Sequence, residues 1–254
     1  MTLQVKNLGF SYKRHDVFRG VSFEVDEGMI LSLVGPNGAG KTTLLKCVNR
    51  LLPPKTGAVT VMGRAVQTLS RLELARSIAY VPQASPPPFP MTVFDTVLLG
   101  RRPYLNWRPR RRDVDLVAEI ITRLGLSDMA MRDVNELSGG ERQKAVIARA
   151  IAQEPKILLL DEPTTYLDLQ YQLRIMGFLR ELVDEKGLCV VFTTHDLNLA
   201  LQFSDRMAVL KDGVLVAEGG TGILTEDVIL RVYGVEARLL RSGGRPYMAP
   251  VRAI

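Results

Sequence analysis

Nine consecutive residues near the start of the chain constrain its fold more than any other feature. Residues 35–43 read Gly-Pro-Asn-Gly-Ala-Gly-Lys-Thr-Thr, which fits the pattern G-x-x-x-x-G-K-[ST] without a mismatch. An apolar run at 30–34 precedes them and a helix-like run at 42–52 follows. The sequence therefore predicts a strand, a glycine-rich loop and a helix in succession, where a chance match would be an ordinary glycine turn.

The residues of this loop match the chemistry of a bound phosphate chain. Closely spaced glycines let consecutive backbone N–H groups point at phosphate oxygens, and the helix that follows adds its positive end. Lys41 is expected to reach the β and γ phosphates, and the Thr42 hydroxyl suits a Mg²⁺ ligand. The residues predicted to bind nucleotide here are Gly35, Pro36, Asn37, Gly38, Ala39, Gly40, Lys41, Thr42 and Thr43.

Composition places the chain among globular proteins. Its 254 residues, 46% hydrophobic and 24% charged, are enough to bury a core. No apolar run approaches 18 residues and no signal peptide precedes the first strand, so we expect a cytoplasmic chain that does not span a membrane. The net charge of +6 permits a nucleic-acid or membrane-surface partner without requiring one. Cys47 and Cys189 lie in apolar runs and are predicted to be buried free thiols.

Before the phosphate loop, residues 3–25 alternate apolar and polar side chains in two bursts. This pattern predicts antiparallel strands packed on one face. Tyr12 lies between the bursts. From its position alone it is equally well an aromatic that stacks on adenine or a packed surface tyrosine.

The composition changes at residue 84. Residues 84–90, Ala-Ser-Pro-Pro-Pro-Phe-Pro, predict an extended connector into a different, helical region that continues to about residue 153. Gly100 is expected to end the first helix of that region. A core-facing stripe at helical spacing is predicted for Val114, Val117, Ala118, Ile121 and Leu124.

Between those helices lies a cluster of arginines around Trp107. A solvated charged face accounts for such a cluster as well as a function does. The functional alternatives are docking on acidic groups or lipid headgroups, which is favoured, and nucleic-acid binding, which calls for more interleaved aromatic residues. The arginines are Arg101, Arg102, Arg108, Arg110, Arg111 and Arg112.

Three strand-like runs end in polar residues that suit nucleotide chemistry. Gln83 follows one, Asp161 and Glu162 follow a second, and His195 follows a third. The carboxyl ends of parallel strands meet at one crevice, where the phosphate loop also opens. Asp161 suits the metal shell, Glu162 suits polarising an attacking water, and His195 suits holding a γ-phosphate oxygen or the water in register. Gln83 is placed to reach toward the phosphate and its metal.

A second candidate anion site lies far along the chain. Ser138, Gly139 and Gly140 open a helix, so their amides and the helix dipole suit an anion. In isolation an S-G-G sequence is better read as a simple N-cap.

In order and spacing these motifs resemble those of the ATP-binding subunit of an ABC transporter. The likeness covers residues 3–220 and is specific, because the L-S-G-G-E sequence at 137–141 hardly occurs in other P-loop families. It implies an α/β fold, with a P-loop NTPase (RecA-like) core, an antiparallel β subdomain and an inserted α-helical subdomain. One ATPase domain would span 1–254, with 1–83 and 154–254 in the core and 84–153 in the helical part.

The resemblance also implies a mechanism and partners. ATP and Mg²⁺ would be the cofactors, Tyr12 the adenine-stacking aromatic and Thr42, Gln83 and Asp161 the metal ligands, while Glu162 would activate water. In such subunits two copies bind ATP head to tail, and Ser138 to Gly140 of one copy complete the site of the other. Asp168, in the D-loop at 165–168, belongs to the same interface. Permease subunits are expected at the cytoplasmic membrane face, with a substrate-binding protein as an indirect partner.

A finer resemblance points to importers of iron-siderophore, haem and cobalamin. Residues 92–104, Thr-Tyr-Leu-Asp at 165–168 and the tail at 232–246 resemble their sequences, and molybdate or tungstate importers fit equally well. Two alternatives stay open: another transporter class or a permease-bound switch, and an ABC ATPase acting on nucleic acid. The second is not expected, because Lys41 and Asp161 are 120 positions apart without sustained heptads and only one cassette is present.

Overall fold

A six-stranded sheet forms the centre of the computed structural model, which describes residues 1–83, 90–106, 108–165, 167–242 and 244–254. The strands are, in chain order, β1 (Leu3–Tyr12), β2 (His15–Val25), β3 (Ile30–Val34), β4 (Thr56–Val61), β5 (Arg64–Ala65), β6 (Ile78–Val81), β7 (Ile157–Asp161), β8 (Cys189–Thr194), β9 (Arg206–Lys211), β10 (Val214–Gly220), β11 (Val235–Ser242) and β12 (Arg245–Ala253). The helices are α1 (Lys41–Val48), α2 (Arg71–Ser77), α3 (Val93–Leu98), α4 (Arg111–Arg123), α5 (Gly139–Ala152), α6 (Leu169–Lys186), α7 (Leu197–Phe203) and α8 (Glu226–Tyr233).

The order of strands in the central sheet brings the sequence motifs to one edge. The order is β10-β9-β3-β8-β7-β6, and all neighbours are parallel except the β9–β10 hairpin at the edge. Strand β8 lies between β3, which leads into the phosphate loop, and β7, which ends in two acids. Val34 pairs with Thr194, and Asp161 pairs with Thr193, so the three strands end at the same level.

Both faces of this sheet are buried, which explains the unbroken apolar runs. Successive residues of β7 point to opposite sides: Leu158 and Leu160 pack with helices α3 to α6, whereas Ile157 and Leu159 pack with α1 and the first sheet. That first sheet has the order β2-β1-β4-β5 and is antiparallel, as its alternating pattern predicts. The predicted α/β architecture is confirmed.

The helical region departs from the sequence predictions in two places. The α4 stripe is rotated: Val117, Ile121 and Leu124 are buried as predicted, but Val114 and Ala118 are exposed. The prediction for those two residues is wrong, because Ile120 on the adjoining stripe takes the core-facing position. Gly100 does not end the first helix as predicted: α3 ends at Leu98 with Leu99 as its C-cap, and the chain continues through Gly100 in a 3₁₀ turn, Leu99–Tyr104.

The arginine cluster is not one surface, because Arg101 is buried. Its Nε lies 2.9 Å from Asp113, its Nη1 lies 2.7 Å from Glu154 and also donates to the Ala152 carbonyl, and its guanidinium stacks on Tyr104. The two carboxylates and the carbonyl satisfy a cation that would otherwise be costly to bury. Treating Arg101 as part of a solvated or docking face is therefore wrong. The exposed members are Arg102, Arg108, Arg110, Arg111 and Arg112.

The last part of the chain forms a small module with its own core. Helix α8 and the antiparallel pair β11–β12 pack on α7 and on Val34, the last residue of β3. Before this module, β9 and β10 form a hairpin in which Lys211 pairs with Val214. Both cysteines are buried and free as predicted, and burial raises the pKa of each thiol to about 12.

Three sequence predictions fall partly or wholly on residues that are not described: the connector at 84–89, Trp107 and Tyr166. Within the described residues, no helix has the length and apolar content needed to cross a membrane.

Candidate functional site

The phosphate loop connects β3 to α1 and depends on its glycines. Gly35 has a φ of 151°, and a Cβ there would lie 2.1 Å from the Leu210 carbonyl oxygen. Gly40, with a φ of 98°, is the left-handed residue from which α1 starts. Only glycine adopts both conformations without strain, so the chain can turn sharply enough to expose the N–H groups at the start of α1.

Lys41 is the first residue of α1 and its side chain is folded back over the loop. Its Nζ donates to the Gly35 carbonyl at 2.6 Å and to the Pro36 carbonyl at 3.0 Å. Burial lowers the pKa of Lys41, while the nearby carboxylates of Glu162 and Asp161 act in the opposite direction. An ammonium group has three donors, so Lys41 can bind a phosphate oxygen and still hold the loop.

Asp161, at the end of β7, connects the phosphate loop with the two central strands. Its Oδ1 accepts from the Thr42 hydroxyl at 3.0 Å and from the Thr193 hydroxyl at 2.8 Å. Its Oδ2 lies 3.4 Å from the Tyr80 hydroxyl, and burial beside this carboxylate raises the pKa of Tyr80. The carboxylate is therefore fixed in orientation from three directions.

Glu162 follows directly and points its carboxylate at the other predicted residues. Its Oε2 accepts from the Gln83 amide at 2.8 Å and the Thr165 hydroxyl at 3.0 Å, and lies 3.6 Å from His195 Nδ1. Its backbone φ is +47°, which a non-glycine residue adopts at a cost, and its N–H donates to the Thr193 hydroxyl at 2.8 Å. This turn directs the Glu162 carboxylate into a cavity, whereas Asp161 stays buried against Thr42 and Thr193.

The cavity between these groups measures about 510 Å³ and opens to solvent. Its lining joins the phosphate loop to the ends of β6, β7 and β8. The lining residues are Val17, Asn37, Gly38, Ala39, Gly40, Lys41, Thr42, Thr43, Gln83, Glu162 and His195.

The donor set around Asp161 fits Mg²⁺. Among the described residues there is no group of three or more His, Cys, Asp or Glu side chains that would form a metal cage. Mg²⁺ usually binds proteins through one or two carboxylates and completes its shell with waters and phosphate oxygens. One buried carboxylate with the Thr42 hydroxyl 3.0 Å away, at the mouth of a phosphate loop, suits that mode.

The other predicted nucleotide-binding residues lie outside the lining of this cavity. Tyr12 is half exposed and packs edge-on against Phe10 at 4.8 Å between ring centroids. Asp168 caps α6 by accepting from the Tyr171 N–H at 2.9 Å. Ser138, Gly139 and Gly140 open α5 and line no part of the cavity.

Ser138 is a capped helix start, as the simpler reading of S-G-G predicts. Its hydroxyl donates to the Glu141 carboxylate at 2.7 Å, and these bonds lower the pKa of Glu141. Ser138 and Gly139 are exposed. The α5 terminus is therefore well formed and accessible to a group outside the chain.

Sequence reasoning missed residues that hold the site together. Thr193 bonds both Asp161 and the Glu162 backbone, and Thr165 holds the Glu162 carboxylate. The available signal was the pair of hydroxyl residues that ends the otherwise apolar strand before His195. A buried strand that ends in hydroxyl groups needs partners for them.

Comparisons with known proteins find relatives that match nearly the whole chain. A family model described as ABC transporter matches residues 18–165. The chain is 45% identical to an uncharacterized ABC transporter ATP-binding protein of Methanocaldococcus jannaschii, over 99% of this chain and 98% of that protein. It is 36% identical to the iron(3+)-hydroxamate import ATP-binding protein FhuC of Bacillus subtilis, over 94% of this chain and 90% of that protein.

The fold of the chain is similar to that of solved ABC transporter cassettes. An inward-facing ABC transporter assigned to the metal-chelate type has a TM-score of 0.84 at 32% identity, covering 98% of this chain and 96% of that chain. A dimeric ABC cassette bound to ADP and Pi in a post-hydrolysis state has a TM-score of 0.77 at 31% identity, covering 86% of this chain and 98% of that chain.

Proposed function

This chain belongs to the ABC transporter family and is one of its ATPases, and from that membership we propose that it is the ATP-binding subunit of an importer. The observation that carries the proposal is the convergence of three separate parts of the chain on one cavity: Lys41, Glu162 and His195 line it, and Asp161 bonds to the lining residue Thr42. Structural roles alone give no reason for a buried lysine, two acids and a histidine to meet beside a loop of N–H groups.

ATP binds with its phosphates in the loop at 35–43. The N–H groups of the loop and of the first turn of α1 bind phosphate oxygens, and Lys41 donates its remaining N–H toward the β and γ phosphates while it still holds the loop carbonyls. Thr42 and Asp161 would hold Mg²⁺, and Gln83 would add its amide oxygen. When bound, Mg²⁺ neutralises charge that develops on the phosphate oxygens.

Glu162 acts as the general base toward the attacking water. Its carboxylate is held by Gln83 and Thr165, so it faces the cavity in one orientation. His195, whose side chain is 61% exposed, holds the water and the γ phosphate in register. Positioning of this kind accounts for most of the catalysis in phosphoryl transfer.

Two copies of the chain complete the active site. Ser138 lies outside the cavity of its own chain, yet it opens a helix whose N-terminus is exposed and suits an anion. A second copy arranged head to tail brings its Ser138, Gly139, Gly140 and Asp168 to the nucleotide, and Tyr12 stacks on the adenine. The similarity to a dimeric cassette bound to ADP and Pi supports this arrangement.

The proposed cargo is a metal-chelate type substrate such as iron-siderophore, haem or cobalamin, with molybdate as the related alternative. The support is the similarity to FhuC and to a transporter assigned to the metal-chelate type. The chain then works at the cytoplasmic face of the membrane, bound to permease subunits, and a substrate-binding protein takes part indirectly. Residues 83–104 transmit the closing of the two copies to the permease.

The catalytic assignment is tested with Glu162→Gln, which keeps the size and hydrogen bonding of the side chain but removes the base. ATP binding should stay within about twofold, whereas the hydrolysis rate should fall roughly 10²-fold or more. Binding is measured with a fluorescent ATP analogue and hydrolysis by phosphate release. A variant that binds ATP and still hydrolyses it rapidly would contradict the assignment of the base.

The cargo is tested in the organism that encodes the chain. Deleting the gene should abolish uptake of one labelled substrate among iron-siderophores, haem, cobalamin and molybdate, and the wild-type gene should restore it. The Glu162→Gln gene is the matched control, since it supplies a folded subunit without hydrolysis and should not restore uptake. Unchanged uptake of all four would overturn the proposed cargo class.

A further inference from the structure

The C-terminal pair β11–β12, here called the C-terminal hairpin, is fastened to α7 at a point three residues from His195. The side-chain amide of Asn198 makes two hydrogen bonds to the backbone of one residue of β12. Its Nδ2 donates to the Met248 carbonyl at 3.1 Å, and its Oδ1 accepts from the Met248 N–H at 2.6 Å. A second connection joins the Arg245 guanidinium to the Gln202 carbonyl at the other end of α7.

Helix α7 needs outside support because it has only seven residues. Isolated helices of this length are not stable in water, because their few hydrogen bonds do not offset the free-energy cost of forming the first turn. One face of α7 is buried against the central sheet through Leu199 and Ala200, in cores beside β3 and β8. The C-terminal hairpin covers another side, and its Leu239 and Met248 pack on the same core as Ala200.

The geometry of α7 is transmitted directly to the active site. Asp196, the residue after His195, is the N-cap of α7, and its carboxylate accepts from the N–H groups of Asn198 and Leu199. The Asp196 N–H donates in turn to the Thr194 hydroxyl at the end of β8. His195 is therefore held between a buried strand and the first turn of α7, and its own side chain is largely exposed.

We propose that the C-terminal hairpin positions His195 for ATP hydrolysis by fixing the first turn of α7 through Asn198. Asn198 is a positioning residue, because it touches neither the cavity nor the predicted nucleotide-binding residues. The inference rests on the proposed roles of Glu162 and His195 and adds to them a function for the module at 235–254. It explains why a two-stranded extension, none of whose described residues lines the cavity, is joined by side-chain bonds to the helix that follows His195.

The first test is Asn198→Ala in the full-length chain, with Gln202→Ala as the matched control. Gln202 is exposed on the same helix, and its backbone carbonyl, which accepts from Arg245, survives the substitution. Asn198→Ala should lower kcat for ATP hydrolysis by roughly fivefold to tenfold, part of the effect of a positioned acid-base group, with ATP affinity unchanged within about twofold. Amide exchange in α7 should be faster in this variant, and Gln202→Ala should match the wild type in all three measurements.

The decisive test combines Asn198→Ala with His195→Ala in a double-mutant cycle, read by single-turnover hydrolysis. If Asn198 acts through His195, removing it from a chain that already lacks the imidazole should change the rate by less than about twofold. An equal loss of rate in both backgrounds, or an unchanged kcat in Asn198→Ala alone, would overturn the proposal. A failure of the catalytic assignment is read from Glu162→Gln without any Asn198 variant, so the two failures are distinguishable.

Discussion

Thr193 is the residue on which the geometry of the active site most depends without itself lining the cavity. It is fully buried, donates to Asp161 at 2.8 Å and accepts from the Glu162 N–H at 2.8 Å. One hydroxyl therefore orients the proposed metal ligand and holds the strained turn that carries the proposed base. A backbone N–H deprived of its partner in such a place costs the full desolvation of that group.

Thr193→Val should therefore destabilise the chain by about 1–3 kcal/mol, although the shape of the side chain is kept. ATP hydrolysis should fall roughly tenfold or more, because the Glu162 carboxylate loses its fixed position. Urea unfolding and steady-state phosphate release measure the two effects. Thr193→Ser is the control: it keeps the hydroxyl, should retain most of the rate and should lose only about 1 kcal/mol for the missing methyl group. Equal rates for the valine and serine variants would show that the hydroxyl does not position Glu162.

At the residue scale, the sequence identifies charged and amide groups at strand ends better than hydroxyl groups. Gln83, Asp161, Glu162 and His195 are conspicuous because each stands after an apolar run, and the sheet edge that they reach is known. Thr193 was missed because threonine is an ordinary strand former, and its partners come from a neighbouring strand. Those partners are set by the register between β7 and β8, which the sequence does not encode locally.

At the scale of secondary structure elements, Gly100 brings the turn after α3 into close contact with the backbone of α5. A Cβ at Gly100 would lie 2.1 Å from the Arg149 carbonyl oxygen and 3.1 Å from the Ala152 Cβ. Gly100 lies in the 3₁₀ turn that follows α3, and the absence of a Cβ lets this turn pack against the backbone of α5. The sequence predicts a helix end at Gly100 and not this packing, because the packing depends on a residue 49 positions away.

Gly100→Ala should destabilise the chain by about 2 kcal/mol or more, since the added methyl meets a backbone atom that cannot move aside easily. The matched control is Gly177→Ala in the middle of α6, where a Cβ would meet no atom within 4 Å. That substitution should stabilise the chain by about 0.5–1 kcal/mol, because alanine favours the helix. Urea midpoints of the two variants should therefore move in opposite directions. A destabilised Gly177→Ala, or an unaffected Gly100→Ala, would contradict the packing described here.

Helix α4 and the arginines before it show why the sequence predicts a helix more reliably than it predicts which of its residues are buried. The helix itself follows from its period, but the period allows two adjoining stripes, and tertiary packing selects the one through Val117 and Ile120. Similarly, six arginines in twelve residues suggest one charged surface. Arg101 is nevertheless buried, because it forms an ion pair with the buried Asp113. A charge pattern does not reveal which residue has a buried partner.

For the whole molecule, the motifs predicted the architecture because each requires a defined place in the same sheet. A phosphate loop needs a strand before it, and two acids and a histidine at strand ends need parallel neighbours. The boundary of the helical subdomain at 84–153 stays a prediction, and its first residues, 84–89, lie outside the described part of the chain. The L-S-G-G-E segment at 137–141 lines no part of the cavity in its own chain. In the proposed assembly this segment therefore serves the nucleotide of the second copy.

That separation leads to the prediction that dimer formation depends on Ser138. In the background of Glu162→Gln, which should trap ATP, the wild-type serine should give an ATP-dependent dimer that is measurable by light scattering. Ser138→Arg should remain monomeric, because a long cationic side chain would stand where two chains must approach a shared phosphate. Ser138→Ala is the control: it stays small, loses the capping bonds with Glu141 at a cost of about 1 kcal/mol, and should still dimerise, though more weakly. A dimer of undiminished affinity in Ser138→Arg would show that the two copies do not meet head to tail across the nucleotide.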